Sequence, residues 1–150
     1  PFYSNVKIEN SENGFDVTVI DLSPLPLEGL KIKCKKNDKL ELIEGDFFEH
    51  SGAYDLIVEQ TFFCAIDPEL RSKYAEQANR LLKPQGKLVG VLFNTPLYDD
   101  RPPFGGHAEE YVNYFEPYFE FKVYEECYNS IKPRLGNELF INLVKKASES

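Results

Sequence analysis

The stretch that decides the fold is YDLIVEQTFFCAIDPELR, residues 54–71, read with EGDFF at residues 44–48 just before it. Residues 54–58 form a short apolar run, the pattern of a strand buried on both faces of a parallel sheet. It passes directly into polar Glu59, Gln60 and Thr61, then into aromatic Phe62 and Phe63. Asp67-Pro68-Glu69 opens a helix, with Asp67 able to cap it and Pro68 at its first position. Polar and aromatic residues at the carboxyl end of a buried strand are where open α/β sheets hold ligands.

The rest of the chain extends this pattern outward. VTVIDL at residues 17–22 reads as a strand, and Ser23 and Pro24 start a helix expected over about residues 25–36. Gly29 weakens the middle of that helix. Residues 40–43 are the next strand, ending in Glu44-Gly45-Asp46. Residues 68–82 carry an apolar stripe of Leu70, Tyr74, Ala78, Leu81 and Leu82, which predicts a helix stopped by Lys83-Pro84-Gln85-Gly86. KLVGVLF at residues 87–93 is another buried strand. TPLYDDRPPFGGH at residues 95–107 is a loop rich in Pro and Gly and long enough to be functional. Residues 108–119 are helix-like and break near Pro117. Residues 121–128 and 138–145 are two final strands, joined through residues 129–137 and expected to pair antiparallel at the sheet edge. Strand–helix alternation ending in a hairpin predicts one α/β domain over residues 1–150, doubly wound.

Composition narrows the function. Hydrophobic residues make up 42% and charged residues 28% of the 150, as in an ordinary soluble globular domain. A formal net charge of −8 argues against a nucleic-acid partner. The apolar runs are strand-sized, so no transmembrane helix is expected, and Pro1-Phe2-Tyr3 does not begin like a signal peptide. Cys34, Cys64 and Cys127 lack CxxC spacing and fit reduced thiols in a cytoplasmic protein. With His50 and His107 they make no metal-ligand pattern, so no metal is expected.

One segment is too short. Residues 6–8 could be a strand beside residues 17–22, but only ENSENGFD, residues 9–16, lies between them. A right-handed parallel crossover needs about ten to twelve residues, helix included. Gly14 looks like the stop of such a helix. The absence of Met, even an initiator, and of Trp points the same way, to a chain from which residues have been left out.

Together VTVIDLSPLPLE, EGDFF, YDLIVEQTFFCAIDPELR, LLKPQGKLV and RPPFGG followed by AEEY resemble class I S-adenosylmethionine (SAM)-dependent methyltransferases. Within these they resemble the thiopurine S-methyltransferase and halide/thiol methyltransferase family, over about residues 14–146. TFFCAI and the PPF loop are the specific part. The resemblance implies a Rossmann-like, seven-stranded sheet of order 3-2-1-4-5-7-6, its seventh strand antiparallel and helices on both faces. It also implies an N-terminal lid and a glycine-rich cofactor turn after the first strand; neither is in this chain.

The resemblance assigns SAM to Asp21 and Leu22 at the ribose, Asp46 and Phe47 at the adenine, and Glu59, Gln60 and Thr61 near the reacting end. Asp21 otherwise reads as a helix cap, Asp46 as a turn residue and Phe47 as core. Glu59 equally suits a strand tip. The resemblance gives Phe63, Arg101, Pro102, Pro103 and Phe104 to the acceptor pocket, with Thr61 and Phe62 as further wall and one of the two rings in the core. Gln60 stands where thiopurine enzymes carry Arg, and Arg101 where the loop has Gly. A neutral amide attracts an anionic aromatic acceptor less well. Arg134 is a second candidate for an anion, and both arginines also read as solvated. Cys64 reads as a buried small hydrophobe.

The expected activity is in-line methyl transfer to a small thiol, thiopurine, sulfide or halide by a monomer. No catalytic acid, base or nucleophile is assigned. Two alternatives share these features: a non-catalytic methyltransferase-like domain without the cofactor turn, and a NAD-type oxidoreductase, which also places an acid such as Asp21 after a strand.

Overall fold

The computed structural model describes residues 16–21, 40–60 and 62–147. The expected strand at residues 6–8, the helix at 25–36, Leu22, Thr61 and Cys34 lie outside them. Two compact units divide at His50 and Ser51.

In the first unit, strands β1 (Val17–Asp21) and β2 (Leu40–Glu44) pair in parallel, Asp21 opposite Glu44. Both therefore end at the same edge of the ribbon. Asp46 then caps a 3₁₀ turn, Phe47–Glu49, its Oδ1 accepting from the Phe48 amide at 2.9 Å.

The second unit holds β3 (Tyr54–Gln60), helix α1 (Arg71–Leu81), β4 (Leu82–Phe93), helix α2 (Ala108–Phe115), β5 (Phe119–Glu126) and β6 (Glu138–Lys145). Its sheet has the order β3-β4-β6-β5. β3 and β4 are parallel, whereas β6 runs antiparallel to both β4 and β5. The expected closing pair is present, and β6 is inserted between β4 and β5.

The core follows from alternation along these strands. Leu88, Leu92, Leu139, Ile141 and Leu143 are buried on the face that receives Tyr74, Ala78 and Leu81 of α1 and Tyr111 and Phe115 of α2. Phe63, Tyr74, Tyr111, Phe115 and Phe119 form a chain of edge-on and tilted rings, centroids 5.1–6.4 Å apart. Such contacts add to the gain from burying the rings. α2 is pinned to the sheet through Tyr111, whose hydroxyl donates to the Phe93 carbonyl at 2.7 Å. The Ala108 carbonyl accepts from the Tyr124 hydroxyl of β5.

The described residues contain six strands, in sheets of two and four; the remaining candidate for the expected seventh, residues 6–8, lies outside them. Two expectations change. β3 is not buried on both faces: Leu56 is 49% and Val58 38% exposed. α1 and α2 share the opposite face, so in this unit the described helices cover one side only. β4 begins at Leu82 rather than residue 87, because Leu82 already pairs with Tyr54 and residues 83–86 bulge before Lys87 pairs with Leu56. Gln85, at φ 66°, makes that bulge.

Gly90 sets how closely β3 and β4 approach, since a Cβ there would lie 2.0 Å from the Glu59 carbonyl oxygen. Gly90→Ala is expected to cost about 1–3 kcal/mol, read as a lower urea midpoint at unchanged m-value. Burial raises the Tyr111 hydroxyl to about 12, Arg71 opposing this and Glu110 adding to it. The folded state thus holds a proton that the unfolded chain releases near pH 10. Stability from this group is intact below about pH 10 and is lost towards pH 12. Tyr111→Phe should be about 1 kcal/mol less stable at neutral pH, through its lost hydrogen bond, yet show a flatter decline across that alkaline window.

Candidate active site

The polar turn after β3 is organised by Glu59. Its side chain is 2% exposed, on the helix-covered face, and its carboxyl group faces three protein donors. Oε2 accepts from the Phe62 amide at 3.0 Å; Oε1 accepts from the Phe63 amide at 3.2 Å and the Tyr74 hydroxyl at 2.6 Å. A buried acid persists only when its oxygens are satisfied in this way. These bonds bend the chain at residues 62–66, where the Ala65 amide closes on the Phe62 carbonyl at 3.0 Å. Asp67 then caps the next turn, accepting from the Glu69 amide at 2.9 Å with Pro68 following.

The loop after β4 is seated on that turn. The Phe104 amide donates to the Cys64 carbonyl at 2.7 Å, and the Gly106 amide to the Thr95 carbonyl at 3.0 Å. Gly105 lies so close to the 95–97 backbone that a Cβ would stand 2.2 Å from the Thr95 oxygen. The Pro102–Pro103 peptide is cis. The Arg101 guanidinium stacks on Tyr98, 4.2 Å from the ring centroid. Between the carboxyl ends of β3 and β4 and the start of β6 lies a small cleft. Gln60, Cys64, Phe93 and Glu138 are among the residues lining it.

Several expected residues are thereby brought together. Glu59, Gln60, Phe63, Pro103 and Phe104 belong to one assembly of turn and loop, with Arg101 and Pro102 on its exposed rim. Phe63 itself is 1% exposed, wedged among the Tyr74, Tyr111 and Phe115 rings, so it underlies the site rather than facing it. Phe62, 36% exposed, is the ring of the pair that reaches solvent. Glu59 is likewise turned into the protein, with both oxygens accepting from internal donors. In the other unit, Asp21 and the Glu44–Asp46 corner share one ribbon edge, with Phe47 half-buried after it. Leu22 and Thr61 lie outside the described residues.

Sequence reasoning missed the buried Arg71, its partly exposed partner Glu110, and the buried Glu138. Arg71 left one signal. It is the first residue of α1, where the helix dipole disfavours a cation, so another interaction must hold it there.

Tyr74→Phe takes one of two donors from Oε1 of Glu59 and should cost about 1–3 kcal/mol. Glu59→Gln turns an amide NH₂ toward backbone donors and should cost more, with the double variant far from additive in urea denaturation. Additive losses would show that Tyr74 and Glu59 act independently.

Among the described residues no group of His, Cys, Asp and Glu has the makings of a metal site. No helix among them is long and apolar enough to cross a membrane.

Known proteins resemble this chain in sequence and in fold. The family model for thiopurine S-methyltransferase matches residues 11–145. Thiocyanate methyltransferase 1 of Brassica oleracea is 33% identical over 99 residues, 64% of this chain and 44% of the relative. Thiopurine S-methyltransferase of Vibrio cholerae is 30% identical over 114 residues, 75% of this chain and 51% of the relative. The chain thus spans about half the length of the curated relatives it matches. Among solved structures, a TehB-like SAM-dependent methyltransferase from Corynebacterium glutamicum superposes with TM-score 0.72 at 18% identity, covering 94% of this chain and 74% of that one. The 1,6-didemethyltoxoflavin-N1-methyltransferase of Burkholderia thailandensis, solved with S-adenosylhomocysteine, gives 0.72 at 17%, covering 91% and 64%. These structures share the fold of this chain, and the match across residues 11–145 shows that the chain belongs to the thiopurine S-methyltransferase family.

Proposed function

We propose that the protein transfers a methyl group from SAM to a small soft nucleophile, a thiol, sulfide, thiocyanate or halide. The observation that carries this reading is the bond between the Phe104 amide and the Cys64 carbonyl, which seats the PPF loop on the TFFC turn at the carboxyl ends of β3 and β4. Relatives named for thiocyanate and thiol methylation support the acceptor class.

The donor set suits SAM. Asp21 closes β1 beside the β2 corner, where an acid can take both ribose hydroxyls. Asp46 is exposed, and its cap uses one oxygen of a group with about four acceptor positions, so it can also take the adenine amine. Phe47 supplies a half-buried ring for the base, and Gln60 ends β3; the family resemblance also gives Leu22 and Thr61 to the cofactor. Bound SAM supplies a methyl group already activated by its sulfonium. The protein's share is alignment and exclusion of water. Phe62, Pro102, Pro103 and Phe104 offer an apolar wall with Phe63 beneath it, and Arg101 sits at the rim. A thiolate or halide is nucleophilic without a general base, so this site needs no His or carboxylate aimed at the acceptor. Gln60 in place of a cation favours small acceptors over an anionic thiopurine.

In this reading β3-β4-β6-β5 is the 4-5-7-6 half of the family's seven-stranded order 3-2-1-4-5-7-6. The enzyme is monomeric and cytoplasmic, with a small-molecule partner rather than a nucleic acid.

Thermal-shift titrations should raise the melting temperature with SAM and not with NADH. Asp21→Ala should abolish that rise while leaving the circular dichroism spectrum unchanged. A rise with NADH alone would assign an oxidoreductase, and no response to either would favour a non-catalytic domain.

A further inference from the structure

We propose that Arg71 is a positioning residue for the acceptor side of the site: it clamps the 102–105 loop from below and so sets acceptor affinity, not cofactor affinity. The role at the acceptor rests on the methyltransferase reading above; the clamp itself does not.

The guanidinium is almost wholly enclosed, the residue being 1% exposed. Nη2 donates to two consecutive loop carbonyls, Phe104 at 3.2 Å and Gly105 at 3.0 Å. Nη1 donates to Glu110 Oε2 at 3.2 Å. Its plane is packed by two rings, Phe63 at 4.7 Å and Tyr111 at 5.4 Å from Cζ. Enclosing a cation is costly, and one carboxylate whose side chain is 43% exposed offsets only part of that cost. The loop carbonyls and rings must supply the rest. Nε is buried without a hydrogen-bond partner, so the group is oriented for the loop at the expense of its own full satisfaction.

The clamp acts where the loop has few other holds. Phe104 is tied outward through its amide to Cys64 and inward through its carbonyl to Arg71, so one residue is fixed from both sides. Pro102 and Pro103 have no amide hydrogen to offer; the Pro103 carbonyl accepts from the Tyr98 amide of the same loop at 3.3 Å, and the tie from this pair to the TFFC turn runs through Phe104. Lysine cannot substitute: a point-like ammonium cannot lie against the Phe63–Tyr111 ring pair while serving two carbonyls and a carboxylate.

The test compares Arg71→Lys, Arg71→Met and Glu110→Gln. Hydrogen exchange at the Phe104 and Gly106 amides should quicken about ten- to a hundredfold in Arg71→Lys and Arg71→Met, with β4–β6 amides unchanged. In methyl-transfer assays with hydrosulfide or thiocyanate, Arg71→Lys should raise the acceptor KM about tenfold or more while SAM affinity stays within about twofold. Glu110→Gln removes the ion pair but keeps both carbonyl bonds, and should leave loop exchange and acceptor KM within about twofold of the parent. Arg71→Lys retains the charge and serves if Arg71→Met does not fold. Unchanged loop exchange in Arg71→Lys would overturn the clamp. Equal losses of SAM and acceptor affinity, or a Glu110→Gln variant as impaired as Arg71→Lys, would overturn the assigned role. If the parent protein methylates no acceptor, the methyltransferase reading fails, while loop exchange still decides the clamp.

Discussion

The arrangement at the carboxyl ends of β3 and β4 depends on one buried acid. Glu59 points into the helix-covered face, where an unpartnered carboxyl group would be intolerable. It is accommodated because the chain doubles back immediately after β3 and brings the Phe62 and Phe63 amides onto its oxygens. The polar group therefore dictates the turn. A small apolar residue in its place would relieve the desolvation cost and leave two amides and the Tyr74 hydroxyl without an acceptor. The bend would then have no reason to keep its shape, and the seat for the PPF loop would go with it.

The same helix face serves both halves of the assembly. Tyr74 donates to Glu59 and supports the turn; Arg71, three residues earlier and hence on the same side of α1, donates to the loop. Phe63 lies between them, touching the Tyr74 ring and the Arg71 guanidinium. A rotation of α1 would disturb turn and loop together, which gives the apolar packing of Ala75, Ala78 and Leu81 a functional consequence. Core and site are one structure here. This is why Phe63, a ring expected at the acceptor, is buried in the core.

How much of this was legible in the sequence depends on the range of the interactions. The strands of both units, helix α1 and the final antiparallel pair follow from period-2 and period-3.6 patterns and from local stop signals, so each stretch carries its own information. The Asp67-Pro68 helix start is local in the same sense, and the structure places that cap as expected. The insertion of β6 between β4 and β5 is not local. The antiparallel pairing was readable, but the neighbour of β6 on its other side came only through the family resemblance. The exposure of Leu56 and Val58 is not legible in the sequence, because apolar content signals that a face can be covered and says nothing of which elements cover it. Arg71 and Glu110 are 39 residues apart, and no pattern shorter than that separation links them. Only the misfit of a cation at a helix start hinted at the bond.

Substituting Gln60 for the arginine of thiopurine enzymes takes a charge from the strand tip, while Arg71 keeps one beneath the loop. The two positions answer different demands. A cation at the strand tip is open to the acceptor and biases the site toward large anions. A cation under the loop is spent on carbonyls and a carboxylate, and it contributes shape rather than attraction. A site built in this second way selects by fit and by the cost of desolvation, which is lower for a soft, polarisable anion than for a hard one. The preference proposed for thiols, thiocyanate and halides then needs no group dedicated to recognising them: it follows from apolar walls held at a fixed separation by polar contacts that face away from the acceptor.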